Sequence, residues 1–156
     1  SGPETRVKSL IHDPGPEVVR IARGWLGTPY LHQASCHGAG TDCLGLIRGI
    51  WRELYGQESE TPPAYTSDWG EYDGAELLLA GAERHLIRET GDDLVPGQLL
   101  LFRMRAGAVA KHVGIVSAIG AVPAFIHAYD RHGVVESPLS TPWRQRIAAR
   151  FRFPER

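Results

Sequence analysis

Three side chains in this sequence have the types needed for thiol chemistry: Cys43, His112 and His127. Cys43 follows Gly38-Ala39-Gly40-Thr41-Asp42, a glycine-rich approach that ends in two capping residues. Apolar residues at Cys43, Ile47, Ile50 and Leu54 predict a helix, with Thr41 or Asp42 as its N-cap and Gly56 as its stop. A thiol in the first turn of a helix faces unpaired N–H groups and the positive end of the macrodipole, and both favour thiolate. At the ordinary cysteine pKa only about 3% is thiolate at neutral pH, and a pKa near 7 gives roughly half. The same spacing suits a small buried hydrophobe on an amphipathic helix. The cysteine alone does not choose between them.

A cysteine nucleophile needs a base, and the base needs a partner that holds its tautomer. His112 and His127 fall on two predicted strands joined through Ile119-Gly120-Ala121-Val122-Pro123. A two-residue turn at Ile119-Gly120, or a four-residue loop from Ala118 to Ala121, sets the two histidines directly opposite each other. Their Cβ atoms would then lie about 4.5–5.5 Å apart on one sheet face. A loop with an odd residue count breaks that pairing, and Pro123 needs an edge or a bulge. His12, His85 and His132 lack such a setting and are read as surface residues. A competing set, His32, Cys36, His37 and Cys43, would be a zinc site. Zinc knuckles, however, use a tight Cys-x2–4-Cys pair, and these cysteines stand further apart. No metal or organic cofactor is expected. Tyr30 sits just past a helix end, where the ring would pack or its hydroxyl would donate into the site.

The elements that must position these residues follow from periodicity. Residues 1–16 are polar, hold Pro3, Pro14 and Pro16, and read as a loosely held lead-in to a domain spanning 17–156. Pro16 suits a first helical position, and Val18, Ile21, Ala22 and Trp25 mark one helical face. Gly27-Thr28-Pro29-Tyr30 ends that helix. Residues 56–73 form a long loop with Tyr65, Trp69 and Tyr72, either a surface loop pinned by aromatics or a wall of a substrate groove. Ala75 to Leu86 predicts another helix. The period then changes: Gln98–Met104, His112–Ala118, Ala124–Tyr129, Gly133–Glu136 and Ala148–Phe153 read as strands. Arg150-Phe151-Arg152-Phe153 is a half-buried strand with a basic outer face. Helices first and strands later give an α+β class, with N-terminal helices packed on a central antiparallel sheet.

Composition narrows the function classes. A formal net charge of −1 carries no basic excess, which excludes an obvious nucleic-acid footprint. No apolar run approaches membrane-spanning length, so no membrane insertion is expected. There is no signal-peptide pattern, although Ser1-Gly2 without an initiator Met leaves room for a removed leader. Cys36 and Cys43, the two cysteines, make no disulfide framework and are read as reduced.

Four blocks, Gly27-Thr28-Pro29-Tyr30, Asp42-Cys43-Leu44-Gly45, Lys111-His112-Val113-Gly114-Ile115-Val116 and Phe125-Ile126-His127-Ala128, resemble in order the motifs of the NlpC-type cell-wall peptidases. That resemblance, over roughly residues 17–137, implies a single papain-like domain and a thiol peptidase acting on peptidoglycan stem peptides, commonly near a γ-D-glutamyl–diamino acid bond. It makes Cys43 the nucleophile, His112 the base and His127 the orienting residue. Tyr30 matches the family tyrosine near the oxyanion, and Asp42 and Leu44 flank the nucleophile on the substrate side. Many members carry Ser where this chain has Leu44, which removes a polar contact beside the substrate. The wording from Arg48 to Gly56 looks most like the branch found among phage tail and gene-transfer-agent proteins. It implies a particle component with tail-protein partners, made in the cytoplasm and opening the wall from the periplasm. An inactive tail protein and a thiol acyltransferase with the same triad are the alternatives. For the two thiols, the expectation is that iodoacetamide labels Cys43 before Cys36.

Overall fold

The computed structural model describes residues 13–58 and 77–155. Helix α1 (Gly15–Gly24) carries Pro16 in its first turn and buries Val18, Ile21 and Ala22, with Trp25 buried just beyond its end. The chain turns away at Gly27, whose φ of 89° is open to glycine at no steric cost. The Asp13 carboxylate accepts the Gly15 N–H at 2.9 Å, so order reaches back into the segment read as a lead-in. Residues 1–12 lie outside the described residues.

Helix α2 (Cys43–Tyr55) begins and ends where its periodicity predicts. Asp42 is the N-cap: its Oδ1 accepts the Gly45 N–H at 2.7 Å. Thr41 instead turns its hydroxyl to the Asp42 carbonyl. Gly56 closes the helix at φ 91°. A two-stranded ribbon of β1 (Ser35–Cys36) and β2 (Gly40–Thr41) leads into it. Helices α1 and α2 cross closely because Gly49 has no side chain; a Cβ there would stand 2.1 Å from the Trp25 ring. Helix α3 (Leu77–His85) occupies the predicted 75–86 segment. Residues 59–76, which hold most of the predicted aromatic loop and the start of that helix segment, lie outside the described residues.

Six strands form one antiparallel sheet: β3 (Ile87–Glu89), β4 (Leu99–Arg103), β5 (Ala110–Ala118), β6 (Ala124–Tyr129), β7 (Gly133–Pro138) and β8 (Ile147–Arg152). Their order across the sheet is β3-β8-β4-β5-β6-β7. The α+β class therefore holds, with α1 and α2 on one face. Strand β4 is apolar at consecutive positions because both of its faces are covered. Leu99 and Leu101 join Val113, Ile115, Ile126 and Phe151 under the helices. Leu100 and Phe102 join Val116, Phe125 and Leu139 on the other face. That second face is capped by Trp143 of a short helix α4 (Thr141–Gln145). Strand β3, the β1–β2 ribbon and α4 carry no signal in the sequence pattern, being too short for a period to show.

The β5–β6 hairpin departs from the predicted register. Ile115 pairs with Ile126 and Val116 with Phe125, and Ala118 then pairs with Ala124 across a register shift. Five residues connect the strands, an odd count, and taken alone that would send the two histidines to opposite faces. The shift leaves Ser117 as an extra bulged residue, which restores the parity. His127 thus lies opposite Gly114, not opposite His112, and the histidines are diagonal neighbours on one face. Close approach requires a glycine there: a Cβ on Gly114 would stand 3.2 Å from the His127 Cβ and 2.7 Å from the Phe125 ring.

Candidate active site

Cys43 is the first residue of α2 and is buried, whereas Cys36 is exposed. Its Sγ sits 3.8 Å from the Lys111 carbonyl, and the Val113 and Leu44 N–H groups are directed at it. The thiol therefore lies against the backbone on both sides of His112. Burial pushes the Cys43 thiol up to about 12, the Asp42 carboxylate adds to the rise, and the N–H groups offset only part of it. The helix start was expected to favour thiolate. Desolvation outweighs it, and the resting thiol is protonated.

Strand β5 carries His112 and strand β6 carries His127. His112 Nε2 and His127 Nδ1 are 2.8 Å apart and share one hydrogen bond. His127 Nε2 reaches Ser137 Oγ on β7 at 2.9 Å. Both imidazoles are buried, and Trp143 packs against each, with ring centroids 5.7 Å and 5.2 Å away. Burial lowers His112 to about 3, with His127 adding to the effect. Burial lowers His127 to about 4, with His132 adding to it. His132 is exposed as expected, yet its ring stacks on Tyr129 at 5.4 Å. At neutral pH both site imidazoles are uncharged, so each carries a single ring proton. With the Nε2 edge of His112 committed to His127, the Nδ1 edge is the one left for a thiol.

Cys43 and His112 line one cleft of about 170 Å³, together with Tyr30, Asp42 and Leu44. Tyr30 is held there by a backbone bridge to Thr41. Burial, followed by Cys43, Asp42 and Asp130, raises its phenol far above the usual range, so the hydroxyl remains a proton donor. Asp42 is buried, and besides capping α2 its Oδ2 accepts the Gln33 N–H at 2.7 Å. That tie draws the 31–34 loop onto the helix start. The Ala34 carbonyl crosses where a Cβ on Gly45 would stand only 1.9 Å away. His127 is not on the cleft wall; it lies behind His112, bonded to that ring.

The four residues of the alternative zinc set do not converge among the described residues. His37 turns to the Gly24 carbonyl at 2.6 Å and stacks on Trp25, while His32 Nδ1 stands 3.9 Å from Asp42 Oδ2. Met104, Lys111 and Asp130 also line the cleft and were not singled out from sequence. Lys111 and Asp130 lie one and three positions from the two histidines, and that adjacency was the available signal. Ser137 was missed too; strand alternation in β7 puts it on the face of His127.

No protein-family model matches the chain, and no curated protein matches it. Solved structures do. The NlpC/p60 domain of peptidoglycan hydrolase SagA is 20% identical, with a TM-score of 0.59 over 90% of this chain and 97% of that one. An NlpC/P60 family protein from Bacillus cereus is 23% identical, with a TM-score of 0.61 over 92% of this chain. An NLP/P60 family protein from Staphylococcus aureus, described as similar to lipoprotein, is 21% identical, with a TM-score of 0.57 over 93% of this chain. This chain spans less than half the length of the last two, 41% and 44%. The fold is thus the papain-like NlpC/p60 fold.

Proposed function

We propose that the chain is a cysteine peptidase that hydrolyses peptidoglycan stem peptides, near a γ-D-glutamyl–diamino acid bond. The observation that carries this reading is the 2.8 Å bond between His112 and His127 beside the one buried thiol, Cys43. The fold shared with peptidoglycan hydrolase SagA supports the substrate class. The phage-tail-like setting rests on the resemblance of residues 48–56: a particle component, with tail proteins as partners, opening the wall from the periplasm.

The chemistry starts from a neutral pair. As a peptide carbonyl enters the cleft, the Cys43 proton passes to His112 Nδ1 and the sulfur attacks the carbonyl carbon. The charge arising on His112 is met at Nε2 by the unprotonated Nδ1 of His127. Charge arising on the carbonyl oxygen is met by the Cys43 N–H at the helix start and by the Tyr30 hydroxyl, each donor of this kind being worth about 10²–10³ in rate. His112 then protonates the leaving amine, and in the second half it activates water against the acyl-enzyme. Leu44 presents an apolar wall beside the nucleophile, so side-chain selection there rests on shape.

Digestion of purified sacculi, followed by mass spectrometry of the released peptides, tests the reading. New free carboxyl termini at stem-peptide bonds are expected, and none with Cys43→Ala. Amide or ester products would point to acyl transfer, and intact sacculi would leave a binding protein.

A further inference from the structure

The relay does not end at His127. We propose that Ser137 is a positioning residue, the terminal acceptor of a four-membered chain Cys43–His112–His127–Ser137, required whenever His112 carries the thiol proton. This rests on the reading of Cys43 and His112 as nucleophile and base.

The hydrogen-bond geometry fixes the logic. Two contacts run in series, His112 Nε2 to His127 Nδ1 at 2.8 Å and His127 Nε2 to Ser137 Oγ at 2.9 Å. One proton lies in the first contact. If His127 Nδ1 holds it, His112 Nε2 is the acceptor and Nδ1 of neutral His112 must carry the ring proton. That ring has no lone pair for the thiol. If His112 Nε2 holds it, His112 Nδ1 is free to act as base, and the one proton of His127 sits on Nε2, donated to Ser137 Oγ. Once the thiol proton moves to His112 Nδ1, both ring nitrogens of His112 are protonated and only the second arrangement survives. The Ser137 hydroxyl is then obliged to accept.

His127 is fully buried, so its Nε2–H has no general access to water. Without a partner that group would carry the penalty of a buried unpaired donor in the state where His112 is charged. A serine suits the place because its hydroxyl can accept while its own proton turns elsewhere. It sits on β7, two residues beyond Val135, the direct partner of His127, and strand alternation brings it to the same face. Nothing in this arrangement touches the substrate, so the effect belongs to turnover and not to binding.

The test uses the intact chain and two readouts. First, the ¹⁵N shifts of His112 and His127 report which ring nitrogen is protonated, whatever the protein hydrolyses. Wild type is expected to carry the His127 proton on Nε2, and Ser137→Ala to show a mixture of tautomers at both histidines. Second, kinetics on a stem-peptide substrate should give a kcat lower by about ten- to a hundredfold for Ser137→Ala with KM unchanged. Ser137→Thr, which keeps the hydroxyl, should recover most of it. A His127 proton found on Nδ1 in wild type overturns the proposal, as does a Ser137→Ala protein with wild-type kcat. If no peptide is cut by any form, the peptidase reading fails, and the ¹⁵N result still decides the order of the relay.

Discussion

At Cys43 two effects compete. The helix N-terminus and the N–H groups of Val113 and Leu44 favour the thiolate, while burial and the neighbouring Asp42 carboxylate oppose it. Burial wins in the resting protein, so the thiol is held up near 12; on the proposed mechanism His112 takes its proton only when substrate is bound. Iodoacetamide at neutral pH should therefore label the exposed Cys36 before the buried Cys43, the reverse of what the helix start suggests, and labelling of Cys43 first would contradict a buried, protonated thiol. The histidines shift the other way, to about 3 and 4. Their folded pKa values lie below the ordinary histidine value near 6.5. The unfolded chain thus binds more protons between those limits, and stability falls as pH drops through that window. It is fully present above about 6.5 and lost progressively toward 4 and 3. One pH unit below 6.5, each buried imidazole costs about 1 kcal/mol. Melting followed from pH 7.5 to 5 should show a fall of several degrees. His127→Gln should lose less across the same range, and an identical acid slope in both would contradict the buried neutral assignment. Hydrolysis should likewise persist below pH 6, since the acceptor at His127 is not lost until about 4.

At the scale of elements, the sheet register governs the site. The helix carrying Cys43 was legible in sequence to within a residue, because a capping pair, Thr41 or Asp42, an apolar period and a terminal glycine all agree there, and the structure chooses Asp42. The hairpin was legible only in part. His112 and His127 share a face, but through a five-residue connection and a bulge at Ser117 whose effects on parity cancel. No local signal announces a bulge that tertiary contacts impose. The Ser117 hydroxyl donates to Glu136 at 2.6 Å and Arg23 of α1 pairs with the same carboxylate at 3.0 Å, so the bulge is anchored from another helix. Gly114 is the position where the hairpin has least room. Gly114→Ala forces the new Cβ onto Phe125 and His127, an overpacking that typically costs about 1–3 kcal/mol. It should depress melting by several degrees and cut turnover sharply by displacing His127 from His112. Gly81→Ala on α3 meets only an Arg84 side-chain nitrogen at 3.7 Å and should be neutral or slightly stabilising. Equal effects from the two substitutions would show that the hairpin tolerates a different spacing.

Across the whole molecule, the sheet is covered on both faces and the site sits at the N-terminus of α2, where helix and sheet meet. Order of helices and strands sufficed to read the α+β class, and four motif blocks sufficed to read the fold. The cleft lining was less visible, since Met104, just past β4, Lys111 on β5 and Asp130, just past β6, come together only after folding. On the proposed function, substrate choice would belong to that lining and catalysis to one sulfur atom. The most direct measurement is therefore the mass of the intact protein quenched during turnover of a stem peptide, with the modified residue located by peptide mapping. An acyl adduct is expected on Cys43, retained in Cys36→Ala, strongly reduced in His112→Ala and absent in Cys43→Ala. An adduct on Cys36, or hydrolysis that survives in Cys43→Ala, would contradict it.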